Sequence, residues 1–173
     1  MVTHEATLAD VWTWLGEIAD PEIPAISILD LGIVRGVAWG GGADAQSLHV
    51  TVTPTYSGCP AIRTIERDIV TTLNARGIAN VVLGVALAPA WTTDWLSATG
   101  REKLRAYGIS PPRVRASVPG DAIDLIGYVD EHAACPRCGS TAVTLTSRFG
   151  STPCKSLYVC TRCREPFDHF KSH

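Results

Sequence analysis

Leu8, Val11, Trp12, Leu15, Ile18 and Ala19 recur at helical spacing, which predicts an amphipathic first helix. Thr7, with Asp10 three residues on, gives that helix a capping-box-like start, and Asp20-Pro21 stops it. The segment 20–32, DPEIPAISILDLG, has two prolines and a terminal glycine and predicts an ordered loop. Residues 33–39 predict a strand, and Gly40-Gly41-Gly42 a hairpin connection. Leu48, Val50 and Val52 then alternate with polar residues, as in a half-buried strand. Ile62, Ile65, Ile69 and Leu73 predict a second helix closed by Gly77. Val81, Val82, Leu83, Val85 and Leu87 predict a strand apolar on both faces, hence central or covered. A third helix is expected over 94–107, N-capped by Asp94 and weakened by Gly100.

The order helix, strand, strand, helix, strand predicts an α+β fold, a two-layer α-β-β-α-β sandwich with helices on one face of a small sheet. We expect this domain over residues 1–108. A linker follows over 109–131, with a short strand near 123–126, and a cysteine-rich module over 132–173.

Composition adds exclusions. The 173 residues are 46% apolar and 18% charged, enough to bury a core. A net charge of −2 argues against binding nucleic acid by bulk charge. The N-terminus lacks a secretory pattern, and the longest near-apolar run, 81–91, is half a membrane span. We therefore expect a cytoplasmic protein with no membrane partner. Thiols stay reduced in that compartment, so clustered cysteines point to metal before disulfide.

Cys135-Pro136-Arg137-Cys138 and Cys160-Thr161-Arg162-Cys163 are two C-x₂-C pairs separated by 21 residues. Each pair presents two thiolates to one ion, and together they make a tetrahedral sulfur site suited to zinc. Two short strands between them predict a small zinc ribbon whose folding needs its metal. A rubredoxin-like iron site and a pair of redox-active C-x₂-C motifs are the alternatives. Cys154 is read as a buried small apolar residue, with an alternative ligand or reactive thiol as the sharper reading. Charge divides along the same boundary. Residues 132–173 hold six basic and two acidic residues, net +4, and residues 1–131 hold nine basic and fifteen acidic, net −6. The ribbon could dock on an acidic partner.

Cys59 stands in Ser57-Gly58-Cys59-Pro60, directly before the second helix, at or near its N-cap. Helix amides and dipole there should lower its pKa, suiting a nucleophile or transient soft-metal ligand. Packing is the alternative. Asp20, Glu22 and Asp30 in the loop could do acid–base work or bind a hard metal. Asp20 and Asp30 could equally organise turns through their own backbone, which we favour because no proton relay is evident.

Four segments carry a family resemblance. DPEIPAISILDLGIV, TPTYSGCPA and WTTDWLSATGREKLRAYGISPP resemble the SufT-type iron–sulfur cluster assembly domain. With the ribbon CPRCGS…FGSTPCKSLYVCTRCREPFDHFK added, nearly the whole chain resembles the PaaD (also PaaJ) family, subunits that accompany the phenylacetyl-CoA ring epoxidase. The family's shared positions map onto Asp20, Pro21, Glu22, Asp30, Leu31, Gly32, Thr53, Cys59 and Pro60. The resemblance implies an accessory role without catalysis of its own. Cys59 would be the functional thiol, a transient ligand of iron or an iron–sulfur cluster, in a pocket shaped by Asp20, Glu22, Asp30 and Thr53. Structural zinc would sit on Cys135, Cys138, Cys160 and Cys163. The partners implied are the oxygenase and reductase subunits, and a homodimer is left open. The chain departs from relatives at Ser172, where they carry cysteine. A structural docking role without maturation chemistry is the alternative function, and a nucleic-acid-binding ribbon the least favoured.

Overall fold

A computed structural model describes residues 6–41, 46–56, 58–112 and 133–171. The chain divides into two compact units, Met1–Trp91 with Trp95–Gly100, and Thr92–Asp94 with Arg101–His173.

The first unit is a three-stranded sheet with helices on one face. Helix α1 (Leu8–Gly16) has the expected capping box, Thr7 and Asp10 exchanging backbone and side-chain hydrogen bonds. It buries Val11 and Leu15. Strands β1 (Val34–Gly40) and β2 (Ser47–Val52) pair antiparallel, with a bulge between Val34 and Gly36. Helix α2 (Ala61–Ala75) buries Ala61, Ile65, Ile69 and Leu73. It returns the chain to β3 (Val81–Val85), parallel to β2. Leu48, Val50 and Val52 on the central strand are buried. Helix α1 packs on α2 and β1, and α2 on β3.

One expectation fails here. The apolar run of β3 predicts a covered strand, yet β3 is an edge in the order β1-β2-β3. Val82 is 46% exposed and Val85 49%, and Leu87 beyond the strand is 64% exposed. Apolarity on both faces shows only that neither face is strongly hydrated; it does not say which edge is paired.

The loop 20–33 is part of the core. Ile23, Ile26, Ile28, Leu31 and Ile33 are all buried. Its backbone is tied down from Asp20 N–H to Ile26 O (2.9 Å) and from Ile28 N–H to Ile18 O (3.0 Å). The indole N–H of Trp91 donates to Leu31 O at 2.8 Å.

Helix α3 (Ala98–Tyr107) starts later than expected. Asp94 lies in a short 3₁₀ segment, Thr93–Trp95, and Ser97 is the capping residue, its Oγ accepting from Gly100 N–H at 2.8 Å. Gly100 lets the helix approach the loop closely. A Cβ there would stand 3.0 Å from both Cβ and O of Asp30.

In the second unit, β5 (Val143–Ser147), β6 (Lys155–Cys160) and β7 (Pro166–Phe170) form an antiparallel ribbon. Ile109 and Ser110, expected in the linker, instead form β4, parallel to β7 at Asp168 and His169. A two-residue strand carries no periodicity that sequence can show. The strand expected near 123–126 lies outside the described residues, as do Ser57 and Ser172.

Alanine favours helices over glycine by about 1 kcal/mol, but overpacking a filled site costs about 1–3 kcal/mol. Gly100→Ala is therefore expected to lower the denaturant midpoint. A raised midpoint would show that the Asp30 turn yields to the added methyl.

Candidate functional site

The thiol of the first unit lies just outside α2. Pro60 occupies the N-cap, already with helical φ −67° and ψ −26°, so Cys59 precedes it by one residue. Cys59 N–H donates to Tyr56 O at 3.2 Å, closing a turn through Gly58, whose φ of +95° suits glycine. Ile62 N–H donates to Cys59 O at 3.4 Å, and the amides of Ala61 and Ile62, together with the Tyr56 side chain, favour the Cys59 thiolate.

The expected direction of its pKa is reversed. Burial pushes the Cys59 thiol up, and the Glu22 carboxylate pushes it further. The two amides and Tyr56 pull it down without overcoming those effects. The helix-terminal amides were legible in the sequence; the half-buried setting and the nearby carboxylate were not.

The loop carboxylates separate in role. Asp20 Oδ1 accepts from the N–H groups of Glu22 (2.9 Å) and Ile23 (2.7 Å). Asp30 Oδ2 accepts from Ser27 N–H (3.0 Å) and Ser27 Oγ (3.1 Å), and its Oδ1 from Ser97 Oγ (3.1 Å). Both are buried turn organisers. Thr53 is buried just after β2, its N–H donating to Ile33 O at 2.8 Å. Of the four expected pocket residues, Glu22 acts on the Cys59 thiol through its charge. Tyr56 was missed. Its place in T-Y-S-G-C-P, three residues before the thiol, was the available signal.

The second unit brings four thiols together. The sulfurs of Cys135, Cys138, Cys160 and Cys163 all lie within 4.8 Å of one another. Cys135–Cys163 and Cys138–Cys160 are each 3.6 Å apart. A tetrahedron with Zn–S bonds of about 2.3 Å has edges of about 3.8 Å, so the cluster fits one zinc ion. The two turns are built alike. Gly139 N–H donates to Cys135 O and Arg164 N–H to Cys160 O, both at 2.9 Å. Cys135 N–H donates to Ser140 O and Cys160 N–H to Glu165 O, again both at 2.9 Å. Gly139 and Arg164 adopt φ of +71° and +61°. Arginine in that conformation gave no signal in the sequence.

The Cys163 amide is the main cause that draws the Cys160 thiol down to about 6. The Glu165 amide also favours a Cys163 thiolate, but burial and the three neighbouring sulfurs outweigh it and push that thiol up to about 12. Four adjacent thiolates need a cation.

Cys154 is buried, with the Thr152 hydroxyl 3.1 Å from its sulfur, and lies outside the four-thiol cluster.

Two family models match in tandem. The iron–sulfur cluster assembly protein model covers residues 8–82, and the PaaD zinc beta ribbon domain covers 125–171. A relative from Escherichia coli (strain K12), provisionally named as one of the subunits of 1,2-phenylacetyl-CoA epoxidase, is 44% identical over 94% of this chain and 91% of its own. This chain belongs to the PaaD family. Its four-thiol cluster is thus a zinc ribbon, and Cys59, Asp20, Glu22, Asp30 and Thr53 all fall within the assembly-domain match. Among solved structures, a conserved hypothetical protein from Thermotoga maritima aligns with 26% identity over 60% of this PaaD-family chain and 98% of its own, at a TM-score of 0.49. A Mycobacterium tuberculosis protein described as associated with Fe–S complex assembly and repair aligns with 30% identity over 62% of this chain and 94% of its own, at 0.38. No helix among the described residues is long and apolar enough to cross a membrane.

Two outcomes follow from these geometries. Glu22→Gln removes a charge that disfavours the thiolate, so Cys59 should titrate lower and alkylate faster with iodoacetamide at mildly alkaline pH. Peptide mapping reads the rate at Cys59 alone, and an unchanged rate would remove the Glu22 coupling. Metal analysis should give one zinc per chain. Cys163→Ser should lose it together with the dispersed NMR signals of residues 143–170, because metal affinity of about 10–16 kcal/mol is folding energy in such modules.

Proposed function

We propose that this chain is a cytoplasmic accessory subunit of a phenylacetyl-CoA epoxidase system that helps mature the iron–sulfur or di-iron centres of its oxygenase and reductase partners. The carrying observation is the Cys59 thiol, half-buried at the start of α2, with two amides, the Tyr56 hydroxyl and the Glu22 carboxylate all acting on it. Burial is the main resistance to a bare thiolate, and the Glu22 carboxylate that adds to it suits a cationic metal. When iron(II) binds, the thiol proton leaves for solvent and an S–Fe bond forms. The Glu22 charge that opposed the thiolate then attracts the cation, while the amides still favour the sulfur's negative charge. The site therefore holds iron when iron is offered and reverts to a protonated thiol when it departs. Asp20, Asp30 and Thr53 fix the loop and strand end that frame it.

A docking role for the ribbon has support of its own. Phe149, between β5 and β6, is 67% exposed, with the Lys171 ammonium 4.2 Å from its ring centre. Exposed aromatics of this kind anchor interfaces.

Co-expression of the epoxidase components with Cys59→Ser separates the roles. We expect the variant to fold and co-purify while iron–sulfur occupancy of the reductase, or iron in the oxygenase, falls several-fold. Full occupancy with stoichiometric co-purification would leave the docking role alone.

A further inference from the structure

We propose that Cys138 and Cys163 form an oxidant-sensitive pair in the ribbon, which hydrogen peroxide converts to a disulfide that joins the two metal-binding turns and frees the metal. The four thiols are not equivalent. Cys135 and Cys160 are only 1% and 0% exposed, whereas Cys138 and Cys163 are exposed. The buried two belong to a core cluster with Ala133, Tyr158 and Phe167, against which Val143 and Leu145 pack. Each turn therefore gives one cysteine to the core and one to solvent.

Oxidation of a thiol follows its thiolate character and its exposure, and a second thiol close by resolves the product. Metal binding keeps all four cysteines as thiolates, so exposure decides among them. Peroxide reaches Cys138 and Cys163 without opening the core. Charge around the exposed pair helps as well. Arg162 and Arg164 flank Cys163 in the chain, and Glu165 is already paired with Arg137 at 3.2 Å. Such surroundings favour the departure of hydroxide.

The first exposed thiolate attacks one peroxide oxygen. An S–O bond forms, the O–O bond breaks, and hydroxide leaves a sulfenic acid behind. The second exposed thiolate lies within 4.8 Å in the four-sulfur cluster. It attacks the oxidised sulfur, an S–S bond forms, the S–O bond breaks, and a second hydroxide leaves. The two sulfurs have given up two electrons, and one peroxide has become two hydroxide ions.

A disulfide within either C-x₂-C turn would instead draw Cys135 or Cys160 out of the packed cluster. The oxidised pairing therefore crosses between turns, unlike the two local pairs that the motifs suggest. With two ligands left, the ribbon no longer holds a tetrahedral ion, and it loses the fold that depends on one. This switch rests on the zinc ribbon and is independent of any role for Cys59.

The zinc-loaded full chain, titrated with hydrogen peroxide and quenched at intervals with N-ethylmaleimide, tests the pair. Trypsin cuts after Arg137, Arg148, Lys155, Arg162 and Arg164, so every ribbon cysteine falls in a peptide of its own. The first disulfide should join the peptides of Cys138 and Cys163, with Cys135 and Cys160 still alkylated. One zinc per chain should pass to a chromogenic chelator in step with that bond. Dithiothreitol with added zinc should then restore the dispersed NMR signals of residues 143–170. A first disulfide within either turn, or one that reaches Cys135 or Cys160, would overturn the proposal. So would zinc retained at a peroxide excess that has already oxidised Cys59, which is less exposed than the pair.

Discussion

The Asp30 carboxylate is the constraint on which the first unit depends. One oxygen takes the amide and hydroxyl of Ser27, the other the hydroxyl of Ser97, and the Asp30 carbonyl takes the Ser97 amide at 2.8 Å. Hydrogen bonds to a charged group contribute about 1.5–3 kcal/mol each, and a buried carboxylate stripped of them would be costly. With the carboxylate satisfied, a proline-bearing loop with no regular structure can insert Ile23, Ile26, Ile28, Leu31 and Ile33 into the core. The same carboxylate fixes where α3 begins, and Gly100 supplies the clearance.

That loop also places the chemistry. Asp20 bonds the amides of Glu22 and Ile23 and so fixes the backbone that carries the Glu22 carboxylate, whose charge acts on Cys59. The turn from Tyr56 to Cys59 sets the sulfur. The acidic loop thus bears on the thiol through one member, and the other two carboxylates do structural work that makes its position reproducible.

Much of this was legible in the sequence. The capping box at Thr7, the apolar face of α2 and the two C-x₂-C turns are short-range patterns with strong physical causes, and each appears in the structure. The favoured turn-organising roles of Asp20 and Asp30 also appear. What escaped depends on contacts distant in sequence. The edge position of β3 is decided by the order of strands, which hydrophobicity does not encode. The Cys59 shift is decided by burial and by a carboxylate 37 positions away in the chain. Ser97 displaced Asp94 as the cap of α3 because Asp30 was there to receive it. Strand β4 exists only through its neighbour β7.

The four thiols alter the ribbon's electrostatics as well as its fold. Counted with neutral cysteines, residues 132–173 carry a surplus of +4. A zinc ion held by four thiolates is itself a dianion, which reduces that surplus to +2. Arg137, Arg162 and Arg164 belong to the two metal-binding turns, and Arg137 is further paired with Glu165 at 3.2 Å. Lys155 is buried against Asp168 at 3.4 Å. The positive charge that lies away from the metal-binding turns belongs to Arg148 and Lys171. Both adjoin the exposed ring of Phe149, one by sequence and the other by contact. What looks in the sequence like a diffusely basic module divides, once metallated, into arginines beside an anionic metal centre and a cationic aromatic point at Phe149.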